Sequence, residues 1–520
     1  MTHACPPSPT LRSFRLENPT PHVIPEGENA APLDVSGGTW RNSDKLVLVM
    51  VGLPATGKTH MGKRICRFFS FFHSIPTQVF NVGDYRRQLC GATQSANFYD
   101  HGNAEALAQR TMACNAALND TIEYIQQDGC RIAIFDATNS QNARREHILK
   151  SLADAGIGSK RVIFIESICD DEALLEENIR TVKTSTPDYR NSDPEEAIAD
   201  FKRRRQMYAD VYESLDDKAD SDKAYIKVIN CKQFVVNNIR GHLSLKVVHF
   251  IMNLHTSKRT FYLTRHGQSE YNLLGKIGGD AGLSEAGLEY AKRLASYAKE
   301  HIGSETVVDE EGNEVKKIRP ARLWTSTMRR TNETAQFIER TEIEMDEDAY
   351  GGWVNFRPTA RRNLDELYAG SCDGMTYKEI EEHYPSEFKR RQADKLAYRY
   401  PRGESYMDVT LRLEPLAHEM ERTREPVLIV GHQGILRILY AYFMGLTREE
   451  APYISIPLNH VIQLTPNAYG CHERRVCLMD KSEMLKDGQD EPVTSMPTLR
   501  MSVEGLNEVD DDPVMNAPSC

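Results

Sequence analysis

The chain lacks the marks of several protein classes. Its 11 cysteines are scattered over 520 residues, with no C-x-x-C pair and no zinc-like spacing; this excludes a thioredoxin-type redox motif and a zinc-ribbon site and predicts reduced thiols in the cytosol. Its longest obvious apolar run, Leu46 to Gly52, is far shorter than the ~20 residues a bilayer-spanning helix needs. Met1 to Thr10 is polar and proline-rich, without the apolar centre of a signal peptide. Excess positive charge is missing as well. A net charge of -11 with pI near 5.9 offers no concentrated basic footprint for nucleic acid, and no internal repeat is present. These absences predict a cytoplasmic protein bound to neither membrane nor nucleic acid.

What is there is globular. With 40% hydrophobic and 27% charged residues, the length predicts two domains with tails. Residues 1–42 are rich in Pro, Ser, Thr and Gly and read as a flexible tail; residues 479–520 read as another. Apolar runs at Leu46–Val51, Val79–Val82, Ile132–Phe135, Val162–Ile165 and Tyr225–Ile229 alternate with helix-like stretches at Asn103–Gln127, Asn142–Ala155, Asp171–Thr184 and Pro194–Leu215. That alternation predicts an α/β domain with a mainly parallel sheet over 43–250. Asn238 to Leu254 reads as an amphipathic bridge. A second α/β domain is predicted over 255–478, with strands at Thr260–Thr264, Ala321–Trp324 and Val427–Val430, and Ser304–Lys317 as an acidic surface excursion.

Two phosphate-handling signatures follow strands. Gly52-Leu53-Pro54-Ala55-Thr56-Gly57-Lys58-Thr59 fits G-x-x-x-x-G-K-[ST], in which a glycine-rich turn and a helix N-terminus cradle the phosphates of ATP. Lys58 is expected on the β- and γ-phosphates and Thr59 on Mg²⁺, with Asp136 at the end of an apolar strand as its second partner. The other signature is Arg265-His266-Gly267. An imidazole so placed can take a phosphoryl group, and arginines offset the charge on its oxygens. His432, in Val430-Gly431-His432-Gln433-Gly434, repeats the pattern. Arg330 supplies a further cation and Glu366 a proton donor for the departing alkoxide.

With these residues and the strings GLPATGKTH, FNVGDYRR, FDATN, FIESICDD, PDYRNSD, RHGQSEYN, TSTMRRT and YPRGESY in hand, the chain resembles the bifunctional 6-phosphofructo-2-kinase/fructose-2,6-bisphosphatase family over nearly all of 43–478. The resemblance implies a P-loop kinase joined to a histidine phosphatase of the phosphoglycerate mutase-like type. It implies synthesis and hydrolysis of fructose 2,6-bisphosphate, control of glycolytic flux, and a homodimer. It assigns Arg86, Arg110, Thr138, Arg144, Lys183, Arg204 and Tyr208 to fructose 6-phosphate, and Asn178 and Lys183 to ATP. Cys169 joins Asp136 as a kinase active-site position, for which the sequence supplies no physical reason. In the second half it implies His266 as nucleophile and Glu366 as acid, with Arg265, Asn272, Gly278, Tyr377, Arg391, Lys395, Tyr406, Gln433 and Arg437 around the bisphosphate. The chain departs from the family pattern at Thr56, Gln268 and Asp373-Gly374, with apparent insertions at 304–317 and 348–359.

The same residues leave other readings open: one head degenerate, a nucleic-acid end-processing or binding protein, or a nucleotide-sensing scaffold without turnover. Parallel rates of both reactions, or a salt-sensitive gel shift, would separate them. Ser13, after Arg12, and Ser502, two positions after Arg500, lie near basic residues in the tails, a pattern open to phosphorylation but too short to assign a kinase.

Overall fold

A computed structural model describes residues 45–480, apart from 92–93, 95, 101, 186–193, 256–258, 310–311, 344–351 and 468–469. The expected tails, apart from Met479 and Asp480, with Ser13 and Ser502, the whole PDYRNSD string, the side chain of Lys183 and the first part of the 348–359 insertion lie outside the described residues.

The first sheet is built on β1 (Leu46–Val51), six consecutive β-branched or aliphatic residues that are all buried. A strand covered on both faces reads as a continuous apolar run. Its companions are β2 (Thr77–Asn81), β3 (Ile132–Asp136), β4 (Val162–Ile168), β5 (Ala224–Ile229) and β6 (Gln233–Asn237), in the order β2-β3-β1-β4-β5-β6. All neighbours are parallel except β5 and β6. β6 carries exposed valines, so its pattern lacks the apolar run that marks the other strands. From β1 the chain crosses to β2 on one side of the sheet, and from β3 it crosses to β4 on the other. That switch point opens a crevice beyond the carboxyl ends of β1 and β3.

The second sheet also has six strands, in the spatial order 358–360, 322–325, 427–431, 261–265, 460–466 and 471–477. β7 (Phe261–Arg265), β10 (Arg322–Thr325), β13 (Pro358–Ala360) and β14 (Val427–Gly431) are parallel, and β15 (His460–Pro466) and β16 (Cys471–Cys477) close one edge antiparallel. Met479, at the expected start of the tail, is buried in this domain's core. The expected excursion at 304–317 is a hairpin, β8 (Ser304–Val308) and β9 (Glu314–Ile318). β11 (Glu342–Ile343) and β12 (Trp353–Val354) form a two-residue pair.

The two sheets are joined through helices. The helix Lys58–His73, which starts on the phosphate loop, buries Phe68 and Phe72. Phe68 stacks on Phe250 of the helix His242–Ile251 at 4.2 Å, and Phe72 meets Tyr442 of the helix Gln433–Met444 at 4.8 Å. The expected bridge is therefore a helix whose apolar face is spent on the P-loop helix. Among the described residues no helix is long and apolar enough to cross a membrane, and the nine described cysteines are free.

Candidate active sites

The first site begins at Gly52, with φ 138°. A Cβ here would stand 2.4 Å from the Ser167 carbonyl oxygen, so only glycine permits the approach of loop to β4. Gly57, φ 88°, caps the helix Lys58–His73, and Ala55 is also left-handed at φ 61°. Such a conformation in a non-glycine residue is strained and persists only where its surroundings enforce it. Lys58 is buried and folds back, its Nζ donating to Leu53 O at 2.5 Å. Burial pulls its pKa down to about 8; Arg205 and Arg204 push the same way, and Asp136 opposes them. An ammonium held at such a cost awaits an anion.

Asp136 is buried at the end of β3. Its carboxyl is pushed up by burial, against the hydrogen bond from Thr59, the charge of Lys58 and a hydrogen bond from Asn81. Asn81 Nδ2 donates to Asp136 Oδ2 at 2.5 Å and to Thr59 Oγ1 at 3.4 Å. Asn81, in the FNVGDYRR string, escaped the sequence reading because a single amide at a strand end has no pattern. Thr59 and Asp136 thus present adjacent oxygens, a donor pair that suits a hard cation sharing its remaining positions with phosphate and water. Among the described residues no cluster of three or more His, Cys, Asp or Glu would hold a metal alone.

Three of the basic residues expected around a sugar phosphate, Arg86, Arg110 and Arg204, gather on Tyr99. The Arg204 guanidinium lies 3.8 Å from its ring centre, Arg86 lies 5.9 Å away, and the Tyr208 ring is at 6.1 Å. Arg110 donates to Tyr99 O at 2.9 Å and Asp100 O at 3.1 Å. Arg144 reaches Cys114, one turn from Arg110 on the helix Ala104–Gln126. Thr138 O accepts from Gly52 N at 2.9 Å, bringing the pocket wall against the phosphate loop. Asn178 is half-buried on the helix Glu172–Ser185. Tyr99 went unread in the sequence because its value lies in the three arginines that the fold brings to it.

In the second site, Gly431 pairs with Arg265 across β14 and β7, so the residues that follow emerge side by side. The rings of His266 and His432 are 5.2 Å apart. His266 Nδ1 lies 2.7 Å from Gly267 O; a carbonyl only accepts, so Nδ1 carries the proton and Nε2 keeps its lone pair. His432 Nε2 is 2.7 Å from Ser326 Oγ. Burial, then Arg330, holds both imidazoles well below the usual histidine range, and hence neutral. Gly267 is required here, since a Cβ would meet Gly287 O at 2.5 Å.

One cavity collects Arg265, His266, Asn272, Gly278, Arg330, Glu366, Tyr377, Arg391, Lys395, Tyr406, Gln433 and Arg437. All the residues expected around the bisphosphate line it, with His432 behind His266. Glu366 is aimed by its own surroundings: Leu367 N donates to Oε1 at 2.9 Å, Gly434 N approaches Oε2 at 3.4 Å, and Arg412 holds its backbone carbonyl at 3.3 Å. Arg437 donates to the Tyr406 hydroxyl at 3.1 Å and Arg391 to that of Tyr377 at 2.8 Å. The reading missed Tyr271, Lys276, Tyr398 and Tyr400, which also line the cavity.

The departures have local explanations. The Asp373 carboxylate accepts from Gly279 N at 3.1 Å and pins the left-handed Gly278–Gly279 turn at the cavity mouth. Gln268 is buried and accepts from Ser284 Oγ at 3.1 Å. Thr56 donates to Leu53 O at 3.0 Å within its own loop.

Fold and sites together define a P-loop kinase fused to a histidine phosphatase. Residues 35–258 match the family model of 6-phosphofructo-2-kinase, and residues 261–478 match that of the histidine phosphatase superfamily, branch 1. The chain is 41% identical over 433 residues to the 6-phosphofructo-2-kinase/fructose-2,6-bisphosphatase of Gallus gallus, covering 83% of this chain and 84% of that one. It is 41% identical to enzyme 4 of that name from Rattus norvegicus, over 83% of this chain and 85% of the relative, and 40% identical to enzyme 3 from Homo sapiens, over 85% and 79%. The chain belongs to the 6-phosphofructo-2-kinase/fructose-2,6-bisphosphatase family, as its motifs led one to expect.

Proposed function

We propose that this chain synthesises fructose 2,6-bisphosphate from fructose 6-phosphate and ATP at the first site and hydrolyses it at the second, so that one protein sets the level of a regulator of glycolysis. In the kinase domain, 43–250, Gly52 to Thr59 hold the nucleotide with Asn178 and Lys183. Arg86, Arg110, Thr138, Arg144, Lys183, Arg204 and Tyr208 bind the sugar phosphate. Mg²⁺ held by Thr59 and Asp136 would neutralise charge on the phosphates. Lys58 meets the oxygens between donor and acceptor, and the arginines orient the 2-hydroxyl; positioning and charge are what phosphoryl transfer chiefly requires. Cys169 acts through its backbone, for its carbonyl accepts from Arg205 at 3.2 Å.

In the phosphatase domain, 255–478, Nε2 of His266 attacks phosphorus while Glu366 gives its proton to the departing 2-oxygen. Arg265, Arg330 and His432 surround the transferred group, and water then frees the histidine. The remaining cations and tyrosines of the cavity hold the rest of the sugar phosphate. The resemblance extends the proposal to a homodimer in the cytoplasm. The observation that carries the reading is the neutral His266 ring facing a cavity lined by Arg265, Arg330, Arg391, Lys395 and Arg437. Lys58→Ala is expected to abolish synthesis and spare hydrolysis, and His266→Ala to do the reverse, losing an acid-labile, base-stable phosphoenzyme. Loss of both reactions in either folded variant would refute two independent sites.

A further inference from the structure

The phosphate loop from Gly52 to Thr59 has one cation of its own, Lys58. A second cation reaches it from outside. Arg205, half-buried on the helix Pro194–Ala209, donates from Nη1 to Pro54 O at 2.6 Å and from Nη2 to Cys169 O at 3.2 Å. Pro54 is inside the loop, and Cys169 follows β4, the strand whose Ser167 carbonyl and hydroxyl pack on Gly52 and Thr56. One guanidinium therefore ties the loop to the end of the neighbouring strand. Its charge is also felt at Lys58, whose pKa it helps to lower.

The neighbouring residue looks the other way. Successive positions on a helix diverge by about 100°, while positions four apart share a face. Arg204 and Tyr208 accordingly meet Tyr99 in the sugar pocket, and Arg205 turns to the phosphate loop. One helix thus delivers adjacent side chains to two substrate sites.

We propose that Arg205 is a positioning residue that links the two: an anionic sugar held by Arg204 and Tyr208 fixes this helix, and Arg205 then holds the Pro54 peptide in the orientation that receives the nucleotide phosphates. The fork geometry matters as much as the charge, because two carbonyls on different elements are each held by a separate nitrogen of one rigid plane, a spacing and orientation that the compact ammonium of a lysine does not reproduce. The proposal rests on the kinase reading above, and nothing about the second domain enters it.

The test measures MgATP binding by calorimetry on the full chain, with and without fructose 6-phosphate, for the unaltered protein, Arg205→Leu and Arg205→Lys, with fructose 2,6-bisphosphate hydrolysis as the control for folding. Fructose 6-phosphate is expected to tighten MgATP binding severalfold in the unaltered protein. Arg205→Leu is expected to weaken MgATP about tenfold, to abolish that tightening and to leave hydrolysis intact. Arg205→Lys is expected to recover part of the affinity without the coupling. Should Arg205→Leu not accumulate in folded form, the lysine variant alone decides, and coupling equal to the unaltered protein's overturns the proposal. Unchanged MgATP affinity in Arg205→Leu overturns it, as does absence of coupling in the unaltered protein. Binding of MgATP without transfer to fructose 6-phosphate would instead count against the kinase reading and leave the affinity comparison intact.

Discussion

Arg64, on the helix that begins at the phosphate loop, donates to the carboxylate of Glu421 in the second domain, where both side chains are buried. Arg259 binds the other carboxylate oxygen at 2.5 Å and the Tyr442 hydroxyl adds a bond of 2.7 Å. Burial alone would raise this carboxyl; the two arginines outweigh it and hold it below the ordinary range. Removing the carboxylate strands two cations in the interior. Glu421→Ala is therefore expected to destabilise the chain by about 3–5 kcal/mol, read as a lower urea midpoint. A loss under about 1 kcal/mol would show that the two domains do not depend on this contact.

A smaller change targets the phosphatase alone. A Cβ on Gly434 would stand 2.7 Å from Glu366 Oε1, so Gly434→Ala pushes the proton donor off its position. Hydrolysis is expected to fall about 10- to 100-fold with synthesis unchanged. Full hydrolytic activity in this variant would remove Glu366 from the role of acid.

Lys58 makes nucleotide binding a proton-linked event. Its pKa near 8 in the free protein rises when phosphate oxygens surround it. At pH 8, MgATP binding should take up about half a proton, and at pH 6.5, where Lys58 is already charged, almost none. Calorimetry in buffers of different ionisation enthalpy measures this. Uptake that persists in Lys58→Met would assign it to another group.

Acid should loosen the fold through its buried imidazoles. His255 is lowered to about 4 by burial and by Arg259, and His266 and His432 lie well below 6.5 for the reasons given above. Between pH 6.5 and 4 the unfolded chain binds more protons at these sites than the folded chain, so stability is lost as the pH is lowered through that window. The denaturation midpoint is expected to be lower at pH 5 than at pH 7, with a smaller drop in His255→Gln. An equal or higher midpoint at pH 5 would contradict the neutral, buried assignment.

Elements with strong periodic or apolar patterns, and residues inside dense motifs, are legible in the order of the amino acids alone. β1, β3, β4 and β14 are continuous apolar runs because both faces are covered, and Gly52, Gly57 and Lys58 are specified by a loop that allows few alternatives. β6, β15 and β16 went unread, since β6 and β16 sit at sheet edges and only β15 carries a partly buried face. The family resemblance, carried on motifs, named the side chains that line the second cavity. What joins these parts exists only in the folded chain: the arginines gathered on Tyr99, Asn81 between Thr59 and Asp136, and Arg205 on the Pro54 carbonyl. So does the Glu421 cluster, whose three charged members come from positions 64, 259 and 421. A local pattern registers what a residue does for its own helix or strand. The energy of a buried charge depends on partners hundreds of positions away, and those are chosen only when the chain has closed around them.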